Sequence, residues 1–253
     1  MSFYFSNKKR LLDTDSSPDA KKAKVEHGIR EVLAPTTCRI PNFKRDKQEV
    51  LTTATMKPLQ YGCQIGVMFN VLSQEQRAAY VSGALRNKNR IQLVSSFGHL
   101  TPRRSINYGS LTDSFGRNNR MIPYPPYVLE VEKILCSVNR GLSFLTRLTA
   151  VDTCYDSCFE RGGSSSAQSE TTHPLITDLV IYSVGQTRIL RVRDIESPEN
   201  WFNIPLVDNS MVTLVGYNFQ RKYTHQIDKL AVGEPVGTHI SLKIFYVNKD
   251  LRE

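Results

Sequence analysis

No apolar run in this chain of 253 residues approaches the length of ~18 needed to cross a bilayer. No membrane-spanning helix is therefore expected. The start of the chain also lacks the apolar stretch of a secretory signal, since Lys8, Lys9 and Arg10 lead directly to Asp13 and Asp15. Cysteine is sparse and poorly spaced for metal. Of Cys38, Cys63, Cys136, Cys154 and Cys158, only the last two are close in sequence, and no second pair completes a zinc spacing. An odd count without a signal peptide makes free thiols in a reducing compartment the expectation. A disulfide between neighbouring copies would require export. No internal repeat is found.

Acidic residues are the minority. Lys and Arg number 33 against 24 Asp and Glu, giving a net charge of +9 and a pI of about 9.3. A surplus of this sign favours a polyanionic partner such as nucleic acid, and it also serves solubility. The rest is ordinary for a soluble globular protein, at 40% hydrophobic and 23% charged. The length allows one large domain or two small ones, with a full core.

Residues 1–35 read as a tail. Lys8-Lys9-Arg10 is separated by an acidic, Ser-rich spacer of about ten residues from Lys21-Lys22-Ala23-Lys24, the pattern of a bipartite nuclear localisation signal. That reading predicts recognition by the nuclear import machinery and a nuclear location. The same arm could neutralise packaged nucleic acid, but its cations are few for that task.

Residues 36–253 read as one folded domain. Pro35, Pro41 and Pro58 break any long helix near its start. Gly62 to Leu72 reads as a buried strand. Ser73 with Gln76 has the capping-box pattern that opens a helix reaching about Arg86. Ile91 to Phe97 reads as a strand. A segment PRRSINYG and a polar loop to Asn119 follow. Apolar residues at 128, 131, 134, 135 and 138 have helical spacing. Phe144 to Val151 reads as another strand, and Cys158 to Thr172 as a flexible polar loop.

The densest stretch of signals runs from Asp178 to His225. Three apolar runs, Leu179–Tyr182, Ile189-Leu190 with Val192, and Met211–Val215, are punctuated by Gly185 and Asp208-Asn209, which are strand and hairpin signals. Ile189, Arg191 and Arg193 alternate with Leu190, Val192 and Asp194, as in a strand with one wet face. His225 follows the polar, aromatic run of Tyr217, Phe219, Gln220 and Tyr223, which predicts a place at the mouth of the β-structure. The expected fold class is α+β, mainly β: a sandwich or open barrel with helices on one face.

Several of these segments, in order, resemble the AlkB family of iron(II)- and 2-oxoglutarate-dependent dioxygenases. They are GVMFNVLSQEQ, PRRSINYG, SVGQTRILRVR, IPLVDNSMVTLVGYNFQRKYTHQI and HISLKIFYV, spanning about residues 60–247. The resemblance implies a double-stranded β-helix, jelly-roll-like, with supporting helices, and an activity that removes alkyl groups from nucleic-acid bases. It places His225 as the second iron-binding histidine. It places the first two ligands, a His-x-Asp pair, near Ser166-Ala167-Gln168, and the cosubstrate arginines at His239 and Phe245.

These positions depart from the pattern. A facial triad needs three ligands on one face, and one histidine cannot supply them. Phe cannot replace the bidentate grip of Arg on a carboxylate. A rebuilt site would draw on His173 and His239 with Asp156, Glu160 or Glu170; only then would iron(II) and 2-oxoglutarate be cofactors. His225 reads instead as a remnant hydrogen-bonded in a pocket. Cys154 and Cys158 could form a redox pair, but free thiols are the default.

Arg103, Arg104 and Tyr108 could contact phosphate and stack on a base. Arg188, Arg191 and Arg193 could form a basic strip. Ordinary salt bridges and solvation would explain the same residues. The expected function is thus a noncatalytic AlkB-like protein, a nucleic-acid-binding or assembly module in the nucleus. The alternatives are a self-assembling structural protein, such as a viral capsid or occlusion component forming homo-oligomers, and an active dioxygenase with a rebuilt site.

Overall fold

The computed structural model describes residues 48–50, 55–94, 99–109, 122–139, 142, 145–165 and 177–247, with backbone alone at 48–50, 93 and 94. The basic clusters of the tail (Lys8, Lys9, Arg10, Lys21, Lys22 and Lys24), the Ser166-Ala167-Gln168 loop, Glu170 and His173 lie outside these residues.

The strands, in chain order, are β1 (Gln48–Val50), β2 (Thr55–Pro58), β3 (Gln64–Phe69), β4 (Ile91–Val94), β5 (Leu100–Gly109), β6 (Thr146–Tyr155), β7 (Asp178–Gly185), β8 (Arg188–Asp194), β9 (Trp201–Leu206), β10 (Ser210–Val215), β11 (Tyr223–Ile227) and β12 (His239–Val247). They form two sheets. The larger has the order β2-β3-β10-β7-β12-β6-β5-β4, and the smaller β1-β9-β8-β11. All pairings within the larger sheet are antiparallel, and β1 joins β9 in parallel. The architecture is a mainly β sandwich of the jelly-roll kind with supporting helices, as expected.

The strand period of two divides the core into two layers. On β7, Leu179 and Ile181 meet the smaller sheet and join Leu190, Val192, Ile204 and Leu206. Val180, Tyr182 and Val184 face the other way, toward helices α1 (Gln74–Arg86) and α2 (Pro126–Val138). Because both faces are covered, β12 is buried along its whole length.

Both helices form where the spacing placed them. Ser73 and Gln76 close a full capping box, with Gln76 N–H donating to Ser73 Oγ and Ser73 N–H to Gln76 Oε1. Pro126 starts α2, where a missing N–H costs nothing. Val128, Val131 and Leu135 are its buried stripe.

One expectation is corrected, and one segment without an assignment is resolved. The segment PRRSINYG is part of β5, a ten-residue strand. Its Pro102 hid the strand, but β5 pairs with β6 only from Arg104 onward, so the proline breaks no bond there. Gly185 and Asp208-Asn209 do not close hairpins. Each turns the chain from one sheet to the other, β7 to β8 and β9 to β10.

The second crossing is tightly anchored. Arg77 on α1 donates two parallel bonds of 2.8 Å to Asp208. Asp208 also accepts from the Gly185 N–H at 2.7 Å. Asn209, at φ +57°, bonds both the N–H and the C=O of Leu72. Asn tolerates that left-handed backbone better than most residues.

Candidate functional site

The alternation HISLKIFYV in β12 sends Ile240, Leu242, Ile244 and Tyr246 to the helix side. It sends His239, Ser241, Lys243 and Phe245 into the space between the sheets, where Phe245 joins the apolar cluster. The interior face of this strand is therefore mostly polar although the strand is fully buried.

From the smaller sheet, β11 points Tyr223, His225 and Ile227 inward. His225 does not lie at the mouth of the β-structure. It is 1% exposed, and neither ring nitrogen has a hydrogen-bond partner among the described residues. Part of the run before it forms the short helix α3 (Phe219–Lys222), whose Phe219 and Gln220 are themselves buried. Burial, reinforced by the charge of Lys243, lowers the His225 pKa from 6.5 to about 3. His239 is equally buried. Its Nδ1 lies 2.8 Å from Gln186 O, and since a carbonyl only accepts, Nδ1 carries the proton. Burial and Arg188 lower its pKa to about 3, against the opposing bond to Gln186.

The iron centre implied by the resemblance can be tested against these groups. His225 is inside the sandwich, but the side chain acting on it is a lysine, not a carboxylate. Ser165 Oγ accepts from Ile227 N–H at 2.8 Å, and Ser165 N–H bonds Ile227 O at 2.8 Å. Asp156 is occupied by Arg104 and Cys158, and Glu160 pairs with Lys229 at 2.6 Å. Among the described residues no three His, Cys, Asp or Glu side chains group to hold a metal. These described residues do not fit iron.

Cys154 and Cys158 do not form a reactive pair. The Cys158 thiol donates to Asp156 Oδ1 at 2.6 Å, and the Cys154 thiol lies 3.7 Å from Oδ2. Burial pushes Cys154 up to about 12, and burial followed by Asp156 raises Cys158, so both are thiols at neutral pH.

The candidate nucleic-acid residues separate sharply. Tyr108 is 1% exposed, on the helix side of β5, with its hydroxyl bonded to Asn87 and Tyr127. It offers no ring face to a base. Arg188 is also 1% exposed, donating to the carbonyls of Gly162, Gly163 and Asp228. Its even number on β8 turns it inward, opposite to Arg191 and Arg193, so the three do not form one strip. Arg103 reaches Ser164 O, and Arg104, on the opposite face of β5, pairs with Asp156.

Arg191 and Arg193 do share the outer face of the smaller sheet. Both guanidinium groups lie over Trp201, at 4.3 and 4.7 Å from the ring centre. Arg193 and Trp201 are directly opposed in the β8–β9 register. Trp201 also lines a groove of about 420 Å³ with Lys57, Gln60, Asp194, Asn200 and Phe202, where Lys57 Nζ stands 5.6 Å from the Phe202 ring. The sequence reading missed Trp201 and Lys243. The signal for the first was the chain's only tryptophan opening a strand. For the second it was the polar alternate positions of HISLKIFYV.

The chain matches no known protein family, and no curated protein is similar to it. Solved structures are similar. OsALKBH1, an AlkB homologue, is 11% identical with a TM-score of 0.55, over 76% of this chain and 99% of that one. The order of strands, the helix-covered larger sheet and this likeness agree: the chain has an AlkB-like fold.

Proposed function

We propose that this chain is a noncatalytic AlkB-like protein that binds nucleic acid, through the outer face of its smaller sheet. The observation that carries the reading is the pair of guanidinium groups of Arg191 and Arg193 over the Trp201 ring. Cations interleaved with aromatic faces suit single strands, whose phosphates take the charge while bases stack without sequence preference. Lys57 adds a further cation in the adjoining groove, whose lining also includes Asp194. The net charge of +9 supports a polyanionic partner. The basic tail supports a nuclear address, and the lack of a His-x-Asp pair near Ser166-Ala167-Gln168 in the sequence supports binding without turnover.

The test is titration of the full chain with a single-stranded oligonucleotide, following the fluorescence of Trp201, its only tryptophan. The reading expects saturable quenching that weakens with salt. Unchanged emission with no complex by a second method overturns it.

A further inference from the structure

Three strands of the smaller sheet meet at one end. Asp194 is the last residue of β8, Trp201 the first of β9 and Tyr223 the first of β11. The register sets Tyr223 opposite Asp194, and Trp201 opposite Arg193. The groove of about 420 Å³ lies at this end, lined by all three residues, by Phe202, and by Pro58 and Gln60 at the close of β2. Its walls are therefore largely aromatic.

Asp194 is the unusual member. It is 3% exposed, and no described cation pairs with it. Its Oδ1 accepts from the N–H groups of Glu196 and Ser197 at 2.8 and 3.2 Å, which closes the turn after β8. Its Oδ2 accepts from no described residue. Buried carboxylates normally have both oxygens bonded, so the second oxygen needs an explanation. Burial, and then the Asp194 charge, push the Tyr223 hydroxyl up to about 12, which sets the carboxylate close to the aromatic wall. Lys57 stands in the same groove over Phe202, so a neutral donor suits Asp194 better than a second cation.

We propose, on the footing that the partner is a single strand, that this groove takes one of its bases and that Asp194 reads the base edge. Trp201 joins the two parts, with Arg191 and Arg193 over its ring for the backbone and the groove beside it for the base. Phosphate contacts position a strand, and contacts to a base edge specify it. A carboxylate only accepts. Guanine offers it N1–H and the N2 amino group side by side. Adenine and cytosine offer one amino group each. Thymine and uracil offer a single N3–H between two carbonyls, which the carboxylate repels. The order of preference at this position is guanine, then adenine and cytosine, then thymine or uracil, while neighbouring bases stack without preference.

The experiment measures Kd of the full chain for four labelled thymidine oligonucleotides that differ at one central position, which carries guanine, adenine, cytosine or thymine. The guanine strand should bind about tenfold tighter than the all-thymine strand, the low end of what one matched base-edge contact contributes. Asp194→Asn keeps an acceptor oxygen for the Glu196 and Ser197 N–H groups and puts an amino donor in place of Oδ2. It should lose the preference for guanine and gain one for thymine, a reversal that a purely structural role for Asp194 would not produce. Arg193→Ala should weaken all four strands alike and keep their order. Four equal affinities in the parent chain overturn the proposal and leave strand binding standing, and this comparison decides even where Asp194→Asn does not fold. A guanine preference that survives in a folded Asp194→Asn overturns it too. If none of the four strands binds, the single-strand reading falls and this inference falls with it.

Discussion

Arg191 holds Trp201 and Asp228 at once: its guanidinium is 4.3 Å from the centre of the indole and 2.8 Å from the Asp228 carboxylate. Arg193, over the same ring, donates to a backbone carbonyl, Pro198 O at 2.7 Å, and is the more exposed of the two. The two cations therefore differ. Arg191 is partly neutralised, and Arg193 keeps its full charge for a phosphate.

Arg193→Ala is accordingly expected to weaken binding of a single strand more than Arg191→Ala. Removing one phosphate neutralisation should make the slope of log K against log salt shallower by about 0.7. Fluorescence titrations at several salt concentrations read this directly. Equal affinities and slopes in both variants and the parent would remove these residues from the interface.

Arg188→Ala should behave in the opposite way. Three carbonyls, those of Gly162, Gly163 and Asp228, would be left without their donor inside the protein. Stripping a buried donor typically costs about 1–3 kcal/mol, more for a charged group. Urea unfolding should show a lower midpoint, with oligonucleotide affinity per folded molecule unchanged. A loss of affinity at full stability would return Arg188 to the binding face.

The contrast between Arg188 and Arg193 shows what the sequence made legible. The alternation of β8 was plain, and so were the capping box at Ser73 and the stripe of α2, because each rests on local periodicity. The same parity already separates residue 188 from 191 and 193, which charge alone groups together. Other features depend on distant parts of the chain. That Asp208-Asn209 crosses between sheets follows from Arg77 and Leu72, over 130 residues earlier in the chain. His225 sits inside because it shares the inward face of β11 with Tyr223 and Ile227, which the composition of the run before it does not reveal.

Stability should fall on acidification. His225 and His239 have folded pKa values lowered from 6.5 to about 3. Between those limits the unfolded chain takes up protons that the folded chain refuses. The stabilisation is thus complete above pH 6.5 and is lost as pH falls toward 3, at roughly 1.4 kcal/mol per pH unit for each histidine. Urea midpoints across this range check it. His225→Gln and His239→Gln should each flatten the dependence, and an unchanged slope in both would contradict the burial of neutral rings.

Ferrous iron and 2-oxoglutarate, added without oxygen, are expected to give no charge-transfer absorption and no stoichiometric iron. Lys243 beside His225 opposes a divalent cation, and the described residues supply no ligand triad. A band with one iron per chain would identify a rebuilt centre, and variants of His225, His173 and His239 would then locate its ligands.

The most direct measurement is the Trp201 titration with a single-stranded oligonucleotide carried out in excess EDTA, then repeated with ferrous iron and 2-oxoglutarate. Binding without chemistry predicts the same saturable, salt-sensitive quenching in both. Binding that appears only when iron and 2-oxoglutarate are present, or no binding in either, would contradict it.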